Sequence, residues 1–352
     1  MIPGCYSLYG VSMKSALFFV MMLVAGLFLC GCLSPAPEMQ TARVPEMQTV
    51  RVAYSPTTAN GPLYIAKEEG YFAEQGINVE LEKYQSPAAA LPVLIHGDIA
   101  VSTGPLKIGL INALAKGEHV RIVADKGRIV YGHCDPYALM VRRDLYEQGI
   151  VRNVSDLKGR KISQRDSDYD LFNVLALGNL SNKDVETMDM DWNMVVPAFK
   201  TGAIDAALLT DPYMTQAIDS GSAVVLVPGK DFLPDWPLPL YYGPAILDKD
   251  PELGRRFMVA YLRGVEQYNE GKTERNLAIL HNYTQLDKDI LNRSCWYAIA
   301  PDGYLPAKPI HDYMDWMYEN KKITQKLDDD QIFDMSYVDY ANRMRQNTTN
   351  NR

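Results

Sequence analysis

Three times along this chain a short apolar run breaks into hydroxyl residues and then into a proline placed to open a helix. In the first instance Arg51-Val52-Ala53-Tyr54 reads as a buried strand and Ser55-Pro56-Thr57-Thr58-Ala59-Asn60-Gly61 as a turn-rich loop. Pro62 then starts a helix through Glu69 that Gly70 stops. Proline suits the first helical position because its missing N–H would have no partner there and its φ is already set. The second instance runs Ile99–Ser102, Thr103-Gly104-Pro105 and a helix Leu106–Lys116. The third runs Ala203–Leu209 and Thr210-Asp211-Pro212-Tyr213, with Asp211 placed to cap the helix it precedes. Such corners aim free first-turn N–H groups beyond the strand's carboxyl end, where open α/β sheets bind ligands. An ordinary βα corner with no ligand satisfies the same pattern.

Between the corners the periodicity alternates. Ile77–Leu81 reads as a strand, Pro87–Ile95 as a helix, and Val120–Ala124 as a strand followed by a basic loop Lys126-Gly127-Arg128. Alternating β and α segments imply a mostly parallel sheet with right-handed crossovers. Tyr137–Arg142 is read as a crossing to a second lobe and Leu240–Leu247 as the return; from Asp250 onward the pattern is helical. The expected fold is α/β with two lobes, 50–140 plus 243–343 and 141–242, and a disordered tail 344–352.

The amino end carries an export pattern. Ala16–Leu29 is a run of fourteen apolar residues, shorter than the roughly eighteen that suggest a spanning helix. Met13-Lys14-Ser15 looks like a normal signal start, so translation is expected to begin at Met13. Leu29-Cys30-Gly31-Cys32 resembles a lipobox, with residues 1–31 as the signal and Cys32 as the lipidated first residue. Plain secretion or an uncleaved anchor are the alternatives, and all three place the chain outside the membrane. The octad PEMQTARV (37–44) is followed at once by PEMQTVRV (45–52), so 32–49 reads as a spacer that tolerates lengthening.

Net charge is −8 with no basic stripe, so nucleic acid is not an expected partner. No CxxC or HExxH occurs, so no metal or cofactor is expected. Of the five cysteines, Cys134 and Cys295 belong to the folded body; they either form a disulfide or stay separate, since spacing says nothing about proximity. Asn153, Asn179, Asn282, Asn292 and Asn347 begin Asn-x-Ser/Thr sequons.

Four stretches together resemble one family: TTANGPLYIAKEEGYFAEQGINVELE (57–82), AAALPVLIHGDIAVSTG (88–104), DLKGRKI (156–162) and GAIDAALLTDPY (202–213). They look like the type II periplasmic-type substrate-binding proteins of ABC transporters for nitrate, sulfonate, taurine and thiamine-precursor pyrimidines. The likeness spans nearly all of 50–343. It departs at Ser163–Tyr169, where members carry a glycine- or serine-rich segment and this chain is bulkier and charged. The resemblance implies a monomeric, lipid-anchored receptor that holds a small molecule between two hinged lobes and delivers it to a permease and ATPase, with no chemistry of its own.

On that reading the helix starts at Pro62, Pro105 and Pro212 face a shared cleft. Thr57, Thr58, Asn60, Tyr64, Ser102 and Thr103 would orient the ligand through hydrogen bonds. Arg165 and Asp168 sit in the second lobe's first loop, where Arg165 would pair with a sulfonate or carboxylate. Asp211 either caps its own helix or meets an amine, while Tyr213, Trp236 and Tyr242 would stack on a flat ligand. An enzyme on the same fold, or a sensing or adhesion module, are the competing functions. The five histidines (His96, His119, His133, His281, His311) show no paired spacing that would favour the enzyme.

Overall fold

A computed structural model describes residues 47–350, apart from 85–86 and 166–167. The signal, the lipidation residue Cys32 and most of the spacer lie outside the described residues. Ten strands follow the chain as β1 (Gln48–Tyr54), β2 (Ile77–Lys83), β3 (Val101–Thr103), β4 (Arg121–Arg128), β5 (Tyr137–Arg142), β6 (Lys161–Gln164), β7 (Glu186–Asp189), β8 (Ala206–Thr210), β9 (Ala223–Pro228) and β10 (Pro237–Tyr242). They form two five-stranded sheets, ordered β2-β1-β3-β10-β4 and β7-β6-β8-β5-β9.

The alternation in sequence is visible in the pairing. In β1 the apolar Val50 and Val52 are fully buried while Arg51 between them is exposed, as expected when successive side chains face opposite sides. β1 runs parallel to β2 and β3, and β6 parallel to β7 and β8. Each sheet also holds one reversed strand: β10 lies antiparallel between β3 and β4, and β5 antiparallel between β8 and β9. Both sheets are therefore mostly parallel, and mixed.

Four expectations need correction. Tyr137–Arg142 and the start of Leu240–Leu247 are not crossings; β5 and β10 are strands inside the second and first sheets, and the chain crosses at 129–136 and 229–236. The ladder partners of these apolar runs make them strands, and the polar, proline-containing segments beside them do the crossing. The strand expected to end at Ala124 runs on to Arg128, because Asp125 N and Arg128 N donate to Gly303 O and Ala298 O from the distant C-terminal region. The second corner's helix begins at Ile108 rather than Leu106, because Gly104 N donates to Pro239 O and holds the chain extended. A helix Ser336–Asn350 occupies most of the expected tail; Val338 and Ala341, fully buried near its start, anchor it.

Helices cover both sheets. The longest, Pro251–Asn269, starts where the Asp250 carboxylate accepts from Leu253 N at 2.9 Å and buries Phe257, Tyr261, Leu262 and Val265 completely. Gly264 lets it lie against the helix Gly61–Glu68: a Cβ there would come within 2.2 Å of Pro62 O. No helix among the described residues is long and apolar enough to cross a membrane.

Candidate functional site

The carboxyl ends of the parallel strands from both sheets meet at one cleft of about 120 Å³. From the first sheet come Ser55, Thr57 and Ala59 after β1, Gly104–Lys107 after β3, and Lys126 and Ile129 at the end of β4. From the second come Arg165 after β6, Trp192 after β7, and Thr210 at the end of β8. The reversed strands start at the same place, which brings in Tyr137 of β5, Trp236 just before β10 and Leu238 within it. Tyr169 and Asp170 of the helix Asp168–Ala176, with Tyr297 and Tyr313 from the C-terminal region, complete the wall.

The dominant electrostatic feature is Lys126. It is 3% exposed, and its ammonium makes no hydrogen bond or ion pair among the described residues. Its neighbour Asp125 cannot serve, since consecutive strand residues face opposite ways and its oxygens accept from Gly127 N and Ala300 N, each at 2.9 Å. Burial pulls the Lys126 pKa down to about 7, against the opposing pull of the Asp125 charge. Burial likewise pushes Asp125 up to about 6, resisted by those two N–H donors. A buried cation without a counter-charge is costly, and an anionic guest in the cleft would supply one. Arg165 is less available: Nη2 lies 3.1 Å from Asp191 Oδ1 and its guanidinium sits 5.0 Å from the centre of the Trp192 ring.

The rest of the wall is aromatic with a few polar groups. Tyr169 lies 5.3 Å from Trp236 and 4.7 Å from Tyr313, centre to centre. Thr210 Oγ1 and Tyr297 OH are 2.9 Å apart, tying β8 to the C-terminal segment. Tyr137 OH donates to Asp170 Oδ2 at 2.9 Å.

Of the residues expected at the site, Thr57, Arg165 and Trp236 line the cleft. The others do not. Asn60 Nδ2 and Tyr64 OH both donate to Ser55 O, at 2.7 and 3.3 Å, so they shape the loop from behind. Thr58 is fully buried beside them. Thr103 Oγ1 donates to Ala53 O, and Ser102 is buried within the sheet. Asp168 meets Lys322 Nζ at 3.2 Å, a tie to the C-terminal region. Asp211 is held by its own helix and one neighbour: Oδ1 accepts from Thr215 N and Oδ2 from Cys295 N. Tyr213 packs behind Trp192, 5.9 Å between centres. Tyr242 is fully buried, its OH donating to Gly254 O; six strand positions carry it roughly 20 Å from Trp236. Of the three prolines only Pro105 lines the cleft, and it lies outside any helix. The shared cleft exists, but strand-end side chains build it, not first-turn amides.

Cys134 and Cys295 form a disulfide, with 5.7 Å between their Cα atoms. They sit near His133, and the bond takes both sulfurs out of metal ligation.

Replacing Asn60 by alanine is expected to weaken ligand binding by about tenfold, with about 1 kcal/mol lost from the free protein, because the Ser55 carbonyl loses one of its two side-chain donors. Calorimetric titration of the variant with the tightest wild-type ligand measures this; unchanged affinity would detach the loop from the site.

Two mostly parallel sheets meeting at a cleft, covered by a helical C-terminal region, define a periplasmic-binding-protein-like fold. The chain belongs to the NMT1/THI5 like family, whose profile matches residues 57–271. No curated protein matches the chain at a significant level. Among solved structures, the periplasmic nitrate-binding protein NrtA of Synechocystis PCC 6803 aligns with a TM-score of 0.69 at 16% identity, covering 85% of this chain and 89% of that one. The periplasmic aliphatic sulphonate binding protein SsuA of Escherichia coli aligns at 0.63 and 20% identity, covering 81% and 92%. The desulfurization enzyme DSZB aligns at 0.65 and 13% identity, covering 85% and 99%. At these identities the likeness concerns the fold.

Proposed function

We propose that this protein is an extracytoplasmic solute-binding protein, lipid-anchored at Cys32 on the outer face of the cytoplasmic membrane. It captures a small polar or anionic solute of the sulfonate, taurine, nitrate or hydroxymethylpyrimidine class and delivers it to an ABC permease and its ATPase. The observation that carries the reading is the buried, unpaired Lys126 ammonium in a cleft built by both sheets. That charge favours an anion over a neutral pyrimidine. The two crossings at 129–136 and 229–236 act as the hinge about which the halves close. The disulfide suits an oxidising compartment. The spacer holds the body off the bilayer, and the protein acts as a monomer without a cofactor.

The likeness to a desulfurization enzyme favours a second reading, catalysis on the same fold. Two observations weigh against it. None of the five histidines lines the cleft, and the two cysteines among the described residues are bonded to each other.

A thermal-shift screen of the purified full chain against nitrate, alkanesulfonates, taurine, bicarbonate and aminopyrimidines tests the proposal. Binding at a hundredfold excess over Kd stabilises by about 2.7 kcal/mol through mass action, so at least one anion is expected to raise the melting point by several degrees without being consumed. Turnover of a stabilising compound would instead favour the enzyme.

A further inference from the structure

This inference deepens the solute-binding reading and rests on it. We propose that the ligand is an aromatic acid, a single flat ring with one anionic head such as a sulfonate or carboxylate, held with its head on Lys126 and its ring among Trp236, Tyr169 and Tyr313.

The head-group assignment follows from which charges are already matched. Asp125 faces away and accepts from two backbone N–H groups. Arg165 is paired with Asp191, and Asp170 Oδ2 accepts a hydrogen bond from Tyr137 OH. Lys126 is the buried cation of the cleft with no hydrogen bond or ion pair among the described residues. A lysine ammonium is a compact charge with three rotatable donors, which suits an oxyanion without demanding the planar two-point geometry that arginine reads. The hydroxyls of Ser55 and Thr57 in the same wall can serve the remaining oxygens.

The ring assignment follows from the apolar half of the wall. Trp236, Tyr169 and Tyr313 form a mutual cluster, with the Trp236 and Tyr313 rings 5.5 Å apart and nearly perpendicular. A nitrate or bicarbonate ion would satisfy Lys126 and make no use of the aromatic part of the lining. The three rings come from separate parts of the chain, the end of the second crossing, the helix Asp168–Ala176 and the C-terminal helix Lys308–Glu319.

Calorimetric titration and indole fluorescence of the purified full chain test this, with benzenesulfonate and benzoate set against methanesulfonate, taurine, nitrate and an aminopyrimidine. Benzenesulfonate is expected to bind at least tenfold tighter than methanesulfonate and to change the fluorescence of the cleft tryptophans. Trp236→Leu should reduce that preference below threefold, and Trp236→Phe should restore most of it. Cooperative melting of each free variant shows that it is folded. Methanesulfonate, taurine or nitrate binding as tightly as the arenes would overturn the ring assignment and leave the solute-binding reading intact. Binding of the aminopyrimidine alone would overturn the head-group assignment. Failure of every compound to bind would overturn this inference and leave the compound panel of the preceding section to decide the broader reading.

Discussion

Replacing Lys126 by methionine is expected to stabilise the ligand-free protein and to abolish anion binding. The unfolded chain carries an ordinary lysine, whereas the folded one holds it near pKa 7 because burial disfavours its charge. A drop from 10.5 to about 7 destabilises the native state at neutral pH on the order of 4 kcal/mol. Methionine fills the same space without that cost, offset in part because Asp125 loses a favourable neighbour. A net gain of about 2 kcal/mol should raise the melting temperature by about 5 °C. The pH dependence has a definite sign. Between about pH 7 and 10.5 the unfolded chain binds more protons at this site than the folded one, so wild-type stability rises with pH there and the variant's advantage shrinks. Below pH 7 both states are protonated and the gap stays constant. Anion binding to the wild type above pH 7 should also take up protons, visible as a buffer-dependent heat. A variant that is less stable than wild type, or that still binds the anion, would remove Lys126 from its role.

Losing the Cys134–Cys295 bridge is expected to lower stability by about 2–4 kcal/mol, with an upper value near 5 from the entropy of a closed loop that long. The residues are 161 positions apart. The bond joins the first crossing to the segment that contributes Tyr297 to the cleft, and Cys295 N also donates to Asp211 at 2.6 Å. Melting curves with and without reductant, and of Cys134→Ser/Cys295→Ser, should show a fall of about 5 °C or more together with weaker ligand binding. Equal melting points would mean that the surrounding packing alone fixes this segment.

What was legible in the sequence was what local chemistry decides. Turn residues and prolines mark the strand ends at Ser55, Thr103 and Thr210, and these ends do converge on one cleft. The side chains inside it were harder to read. Lys126-Gly127-Arg128 looks like a surface loop because nothing nearby announces that Ala298 will pair with Arg128 and Ala300 with the Asp125 carboxylate. Tyr297 and Tyr313 reach the cleft from a region whose helical pattern carries no sign of a site. Asn60, Tyr64 and Asp211 have the polar groups of a binding residue, yet each directs them at the backbone that holds the cleft in shape. Tyr242 shows how a strand separates two aromatic neighbours: Trp236 opens on the cleft and Tyr242 points into the helical layer.

The second sheet is built from one uninterrupted stretch, 137–228, whose two ends meet: Ala138 pairs with Pro228, and Lys230 N donates to Asp135 Oδ2 at 3.0 Å. The chain departs and comes back through a single doorway. Such a stretch can be exchanged as a cassette. A transplant from a relative would bring a new Arg165, Tyr169, Trp192 and Thr210 while Lys126 and Trp236 stayed behind. One part of the gene would then set what the rim prefers, and another would keep the demand for a negative charge.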